Sequence, residues 1–100
     1  MTTPNLTVFD GELQGLVNKE RMNTYGHPAK HFAASAELKK ILRQNFRGEK
    51  DERLLHAMEM IADKLVRLCH TPSHLDSWID VAGYARTGVM ILDHDERTDQ

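Results

Sequence analysis

Asp51-Glu52-Arg53-Leu54-Leu55-His56-Ala57-Met58-Glu59-Met60-Ile61-Ala62-Asp63-Lys64-Leu65-Val66-Arg67-Leu68-Cys69 carries the clearest periodicity in the chain. At about 100° per residue, Leu54, Leu55, Met58, Ile61, Ala62, Leu65, Val66, Leu68 and Cys69 cover a continuous arc of roughly 160°. A surface helix needs a narrower stripe, so this width predicts burial against more than one partner helix. His56, Glu59, Asp63 and His70 lie on one side of the remaining polar arc, and Met60, Lys64 and Arg67 lie on the other. Glu59 and Asp63 project away from the apolar arc, which places them on a solvated face. Cys69 projects onto the apolar arc, which makes it a buried, inert thiol.

Downstream, Thr71-Pro72-Ser73 breaks the helix and a second apolar pattern begins. Ser73-x-x-Asp76 resembles a capping box with aspartate in place of glutamate. Leu75, Trp78, Ile79, Ala82, Ala85, Val89 and Leu92 form one face of the helix that follows. Asp76, Asp80, Gly83 and Thr87 form the opposite stripe, with Tyr84 beside it. Gly83 and Gly88 inside a helix suggest the close approach of another helix or a ligand.

Upstream, a helix over about Pro28–Arg47 is expected, with Phe32, Ala36, Leu38, Ile41, Leu42 and Phe46 directed inward and Gly48 ending it. Gly26 suits the left-handed closing position of a preceding helix, and Pro28 suits the first position of the next. An earlier helix starts near Thr7 or Asp10 and carries Leu13, Leu16 and Val17, weakened by Gly11 and Gly15. Residues 1–6 read as a flexible terminus, 7–93 as one helical domain and 94–100 as a frayed tail. No strand pattern, repeat or low-complexity tract appears. Four helices with short connections predict an all-α, antiparallel four-helix bundle.

The composition places bounds on function. The 100 residues are enough for one modest core, with 40% apolar and 28% charged residues. A net charge of −2 with interspersed signs offers no basic patch for a phosphate backbone, so no nucleic acid is expected as a partner. No apolar run approaches the roughly 20 residues that span a membrane, and no signal sequence opens the chain, so neither a membrane nor secretion is expected. A single cysteine fits a reducing, cytoplasmic setting.

Four charged residues meet where two predicted helices face each other. Asp76 and Asp80 are four apart and repel unless a divalent cation such as Mg²⁺ binds them or each finds a separate role, Asp76 near a helix start and Asp80 in a salt bridge. Lys64 and Arg67 could grip phosphate oxygens or pair with those aspartates. The segment Arg21…Tyr25-Gly26-His27-Pro28 offers a guanidinium, a ring able to stack on a base, and a helix amino end that favours anions; equally, it is a helix–helix turn. His27 and His31 have the spacing of a metal pair, but His27 also sits where a helix cap belongs.

Arg21-x-x-Thr24-Tyr25-Gly26-His27-Pro28, Lys64-x-x-Arg67-Leu68 and His74-x-Asp76-Ser77-Trp78-Ile79-Asp80-Val81-Ala82-Gly83-Tyr84, in that order, resemble a small phage and prophage family of unknown function. The likeness covers roughly residues 18–88. More remotely, the pattern is similar to nucleotide-modification-associated phage domains and to the all-α NTP pyrophosphatases of the MazG-like group. That resemblance implies an NTP-pyrophosphatase-like fold, a nucleotide ligand and a homo-oligomer, dimer or tetramer. It also implies Mg²⁺ on Asp76 and Asp80, with Arg21, Tyr25, His27, Lys64, Arg67 and Tyr84 around the nucleotide. The pyrophosphatases' Glu-x-x-Glu motif is incomplete here, because residues 33–40 offer only Glu37. The alternative is a non-catalytic phage module that binds a nucleotide or a host protein, its charged residues forming a structural network.

Overall fold

The structure, a computed structural model, describes residues 5, 7–8, 26–49 and 51–98. Three helices follow in order: α1 (Pro28–Asn45), α2 (Glu52–His70) and α3 (Leu75–Thr98). No strand occurs among the described residues. The regular structure described is all-helical, as expected. Of the anticipated first helix, only Thr7 and Val8 are described. Both are helical, and Asn5 Oδ1 accepts from the Val8 amide at 3.2 Å. The rest of that helix lies outside the described residues.

The helix starts follow local chemistry. Asp51 caps α2, its carboxylate accepting from the Arg53 and Leu54 amides. His27 caps α1 with Pro28 in the first turn. Two ends differ from expectation. α1 stops at Asn45, two residues early, with Phe46 extended and the Asn45 side chain donating back to the Ile41 carbonyl at 2.8 Å. Phe46 lies against Gly48, where any β-carbon would collide with its ring. The opening of α3 is also displaced. His74, not Ser73, supplies the first carbonyl, accepting from the Ser77 and Trp78 amides. Its ring Nδ1 lies 2.8 Å from the Ser77 hydroxyl, so the Ser73–Asp76 box does not form.

α2 is the spine. It packs on α1 along one side and on α3 along the other, and α1 and α3 do not touch. All four buried apolar residues among those described belong to it: Leu55, Ala57, Ala62 and Leu68. At about 100° per residue, Leu55 and Ala62 fall on one edge of α2, and Ala57 and Leu68 on another about 140° away, which matches two separate seams. Between them, Met58, Leu65 and Cys69 remain exposed. The exposed thiol corrects the expectation of a buried Cys69.

The inward face of α3 is the second correction. Ser77, Asp80, Val81, Tyr84, Gly88, Ile91 and Asp95 are its buried or half-buried positions, while Leu75, Trp78, Ile79, Val89, Met90 and Leu92 are exposed. The stripe richest in large apolar side chains therefore points away from α2. On α1, Phe32 and Ile41 are likewise exposed, and Ser35 is buried. Gly83 and Gly88 have open space where a β-carbon would stand, so neither is pressed against another helix among the described residues. The helix also runs to Thr98, past the expected end at 93. Its last turns are held by Arg97 on Asp93 at 2.9 Å and by the Thr98 hydroxyl on the His94 carbonyl at 3.1 Å.

Ion pairs lace both seams. Lys39 reaches Asp63 at 3.0 Å and Arg43 reaches Glu59 at 2.9 Å, two i, i+4 pairs meshing across antiparallel helices. The side chains of Glu59 and Asp63 are only 17% and 24% exposed. They face α1 rather than the solvated face assigned to them from the sequence. At the far end, Arg53 spans two helices, bonding Asp51 and, on α3, Asp95. Its guanidinium holds both carboxyls below their ordinary pKa, with the His94 ring contributing further at Asp95. The two carboxylates in turn hold the Arg53 proton more firmly still.

Candidate functional site

Antiparallel packing brings the amino ends of α1 and α3 to the carboxyl end of α2. Four of the six histidines gather at this end of the molecule, namely His27, His31, His70 and His74, together with Lys30, Lys64 and Arg67. The positive ends of two helix dipoles point the same way. An open cleft of about 420 Å³ lies there, lined by Gly26, His27, Lys30, His31, Val66, Cys69 and His70.

Local geometry explains the cleft. Gly26 adopts φ +85°, the left-handed region that glycine enters at low cost, and this turns the chain into α1. The turn brings Gly26 against the His70 ring, where an added β-carbon would lie 3.3 Å from Nδ1. His27 Nδ1 accepts from the Ala29 amide at 3.1 Å, which puts the ring proton of the neutral form on Nε2. The His27 carbonyl accepts from the Lys30 and His31 amides at 3.1 and 3.0 Å, and Pro28 has no amide to offer. The first-turn donors of α1 are thus satisfied within the helix. The cleft offers a ligand the Lys30 ammonium, imidazole edges and the helix dipole, in place of a ring of bare amides. That combination suits an anion carried on a planar or apolar body.

The residues singled out from the sequence do not converge on one point. His27 lines this cleft. Lys64 bonds Asp80 across the α2–α3 seam at 3.3 Å, with the lysine side chain 12% exposed. Arg67 is half-buried on α2, and Asp76 is exposed in the first turn of α3. Tyr84 is half-buried in a second, more apolar cleft of about 390 Å³ with Glu52, Arg53, His56, Ala57, Thr87 and Ile91. Along α2 the two clefts are roughly 20 Å apart, from His56 to Cys69 at about 1.5 Å per residue. Tyr84 therefore serves a different surface from His27. Arg21 and Tyr25 lie outside the described residues.

Among the described residues, no three carboxylate, imidazole or thiol groups converge as a metal site requires. Asp76 and Asp80 are two carboxylates, one already engaged by an ammonium. Near-octahedral ligation of Mg²⁺ on this pair would need water or a bound phosphate to complete it.

Sequence reasoning missed Lys30 and His70 as partners of His27. Their signal was the register itself: antiparallel pairing of Pro28–Asn45 with Glu52–His70 sets the start of one helix against the end of the other. It also missed Lys39 and Arg43, whose spacing matches that of Glu59 and Asp63.

The sequence profile of a family described as a domain of unknown function (DUF6378) matches residues 11–91. The Gene 55 protein of Mycobacterium phage D29 is 35% identical over 74 residues, covering 74% of this chain and 46% of that protein. The chain thus spans about half the length of that phage relative. No solved structure matches. No helix among the described residues is long and apolar enough to cross a membrane. With four-fifths of its length matched and a phage gene product among its relatives, the chain belongs to the DUF6378 domain family.

Proposed function

We propose that this domain is a phage accessory module that binds a phosphate-bearing nucleotide without hydrolysing it. The observation that carries this reading is the cleft at the amino end of α1, where Lys30 and the imidazoles of His27, His31 and His70 surround about 420 Å³. That volume lies in the range of small-ligand sites, roughly 300–1,000 Å³. The lysine and the helix dipole favour phosphate, while Val66 and the imidazole faces suit a base or sugar. The resemblance to all-α nucleotide-handling bundles supports the same ligand class, and a four-helix, pyrophosphatase-like fold is part of this proposal.

Hydrolysis is left out for a structural reason. The acid that the pyrophosphatase pattern would use, Asp80, is paired with Lys64. Mg²⁺ belongs to this reading as the nucleotide's own counter-ion rather than as a resident cofactor.

Isothermal titration with nucleoside mono- and triphosphates, bare nucleosides and inorganic phosphate tests the proposal. Phosphorylated nucleosides should bind, and Lys30→Ala should weaken them about tenfold, equivalent to the loss of one charge-assisted hydrogen bond. A parallel pyrophosphate-release assay with Mg²⁺ should show no turnover. Failure of every phosphorylated ligand to bind the folded protein would sink the idea, and turnover would replace it with the hydrolase reading.

A further inference from the structure

The outward face of α3 has a pattern that a lone helix does not need. Leu75, Trp78, Ala82, Ala85, Val89 and Leu92 follow one another at spacings of three and four residues, the a/d repeat of a coiled-coil seam. All six are exposed, with Leu75 at 67%, Trp78 at 52% and Val89 at 64%. The opposite face of the same helix is already engaged by α2, so the seam is additional to the chain's own packing.

The seam is palindromic: two large residues, two alanines, two large residues. If a second copy lies antiparallel across it, Leu75 meets Leu92 of the other copy, Trp78 meets Val89, and Ala82 meets Ala85. The two-fold axis then passes between the alanines, where small side chains let the backbones approach while the bulky pairs close each end. This is the isologous arrangement that a two-fold dimer requires. A parallel pairing would stack Trp78 on Trp78 and align the two macrodipoles, whereas the antiparallel one opposes them.

Area points the same way. With Ile79 and Met90 flanking the seam, the exposed apolar side chains amount to on the order of 600 Å² per copy, close to the ~800 Å² each partner gives a standard interface. An apolar area of this size is at the upper end of what a monomer leaves in water.

We propose that α3 is the dimerisation helix, pairing with α3 of a second copy, antiparallel and centred between Ala82 and Ala85. Sedimentation equilibrium should give twice the 11.4 kDa chain mass at micromolar concentrations. Val89→Glu lies on the exposed face, so it should keep full helicity while raising the dissociation constant on the order of 100-fold, since a carboxylate is buried without a partner. Oxidative cross-linking fixes the direction. In a Cys69→Ser background, Leu75→Cys mixed with Leu92→Cys should give disulfide-linked dimers, and Leu75→Cys alone should give none. A monomer at several hundred micromolar overturns the proposal, as does a Val89→Glu dimer of undiminished affinity. A monomer that Val89→Glu nonetheless destabilises would assign the face to the chain's own amino-terminal segment, and self-linking Leu75→Cys would overturn the antiparallel register.

Discussion

Lys64 places its ammonium 3.3 Å from the Asp80 carboxylate across the α2–α3 seam, the lysine largely covered and the aspartate half-exposed. A pair so placed contributes modestly when intact and costs more when one member is left alone. Lys64→Met should destabilise the domain by about 1 kcal/mol, and Asp80→Leu by a similar amount, whereas the double substitution should cost clearly less than the sum. Urea unfolding of the four proteins measures this coupling. Strict additivity would mean that the two side chains act independently and would reopen Asp80 for a ligand.

Arg53 joins the start of α2 to the end of α3 through Asp51 and Asp95, and both carboxyls are held below their ordinary value of 3.8. The folded state therefore binds fewer protons than the unfolded one over that interval. The contribution is complete above the unfolded pKa and disappears as pH falls through the lower, folded values. Arg53→Met should lower stability at neutral pH and converge with wild type as acid protonates both carboxylates. Circular dichroism across an acid titration measures the gap, and a gap constant in pH would contradict this account. Because Arg53 is exposed and the two carboxylates are only half-buried, added salt should shrink the effect.

Ser77 is as buried as Ala62, 1% exposed, with its hydroxyl 2.8 Å from the His74 ring. Ser77→Val adds bulk at this fully buried position on the inward face of α3 and removes that hydrogen bond. A loss of about 2 kcal/mol is expected from overpacking together with the lost hydrogen bond to the imidazole. Thermal denaturation checks it, and Ser77→Ala, which adds no bulk, should be the milder change.

Gly26→Ala asks an L-residue to hold φ +85° with its β-carbon 3.3 Å from the His70 ring. It should cost about 1 kcal/mol in stability. It should also weaken the nucleotide affinity proposed for the cleft, because the imidazole must move. An unaltered titration isotherm in a correctly folded variant would separate His70 from the ligand.

The starts of α1 and α2 were legible because their signals are local: Pro28 behind His27, Asp51 before Arg53 and Leu54, and Gly26 at a positive φ each act within a few residues. The wide apolar arc of α2 also spoke plainly, since two seams need two lines of burial. The inward face of α3 was not legible. Amphipathicity assumes that a chain's own core is the destination of its largest apolar side chains, and Leu75, Trp78 and Val89 break that assumption. The helix docks on α2 through Ser77, Val81, Tyr84 and Ile91, flanked by the Lys64–Asp80 and Arg53–Asp95 pairs. Glu59 and Asp63 were misplaced for a related reason. Projection showed that they stand off the apolar arc, but not that Lys39 and Arg43 would arrive from that side to meet them.

Since α1 and α3 contact α2 and never each other, opening either flank leaves the other seam whole. Native-state amide exchange should therefore resolve two independent sub-global openings. The amides of α1 should report one free energy, those of α3 another, and those of α2 should exchange only when both neighbours have come away. A denaturant-insensitive difference between the two flanks would show that each is released as a separate cooperative unit around a common, last-to-open strut.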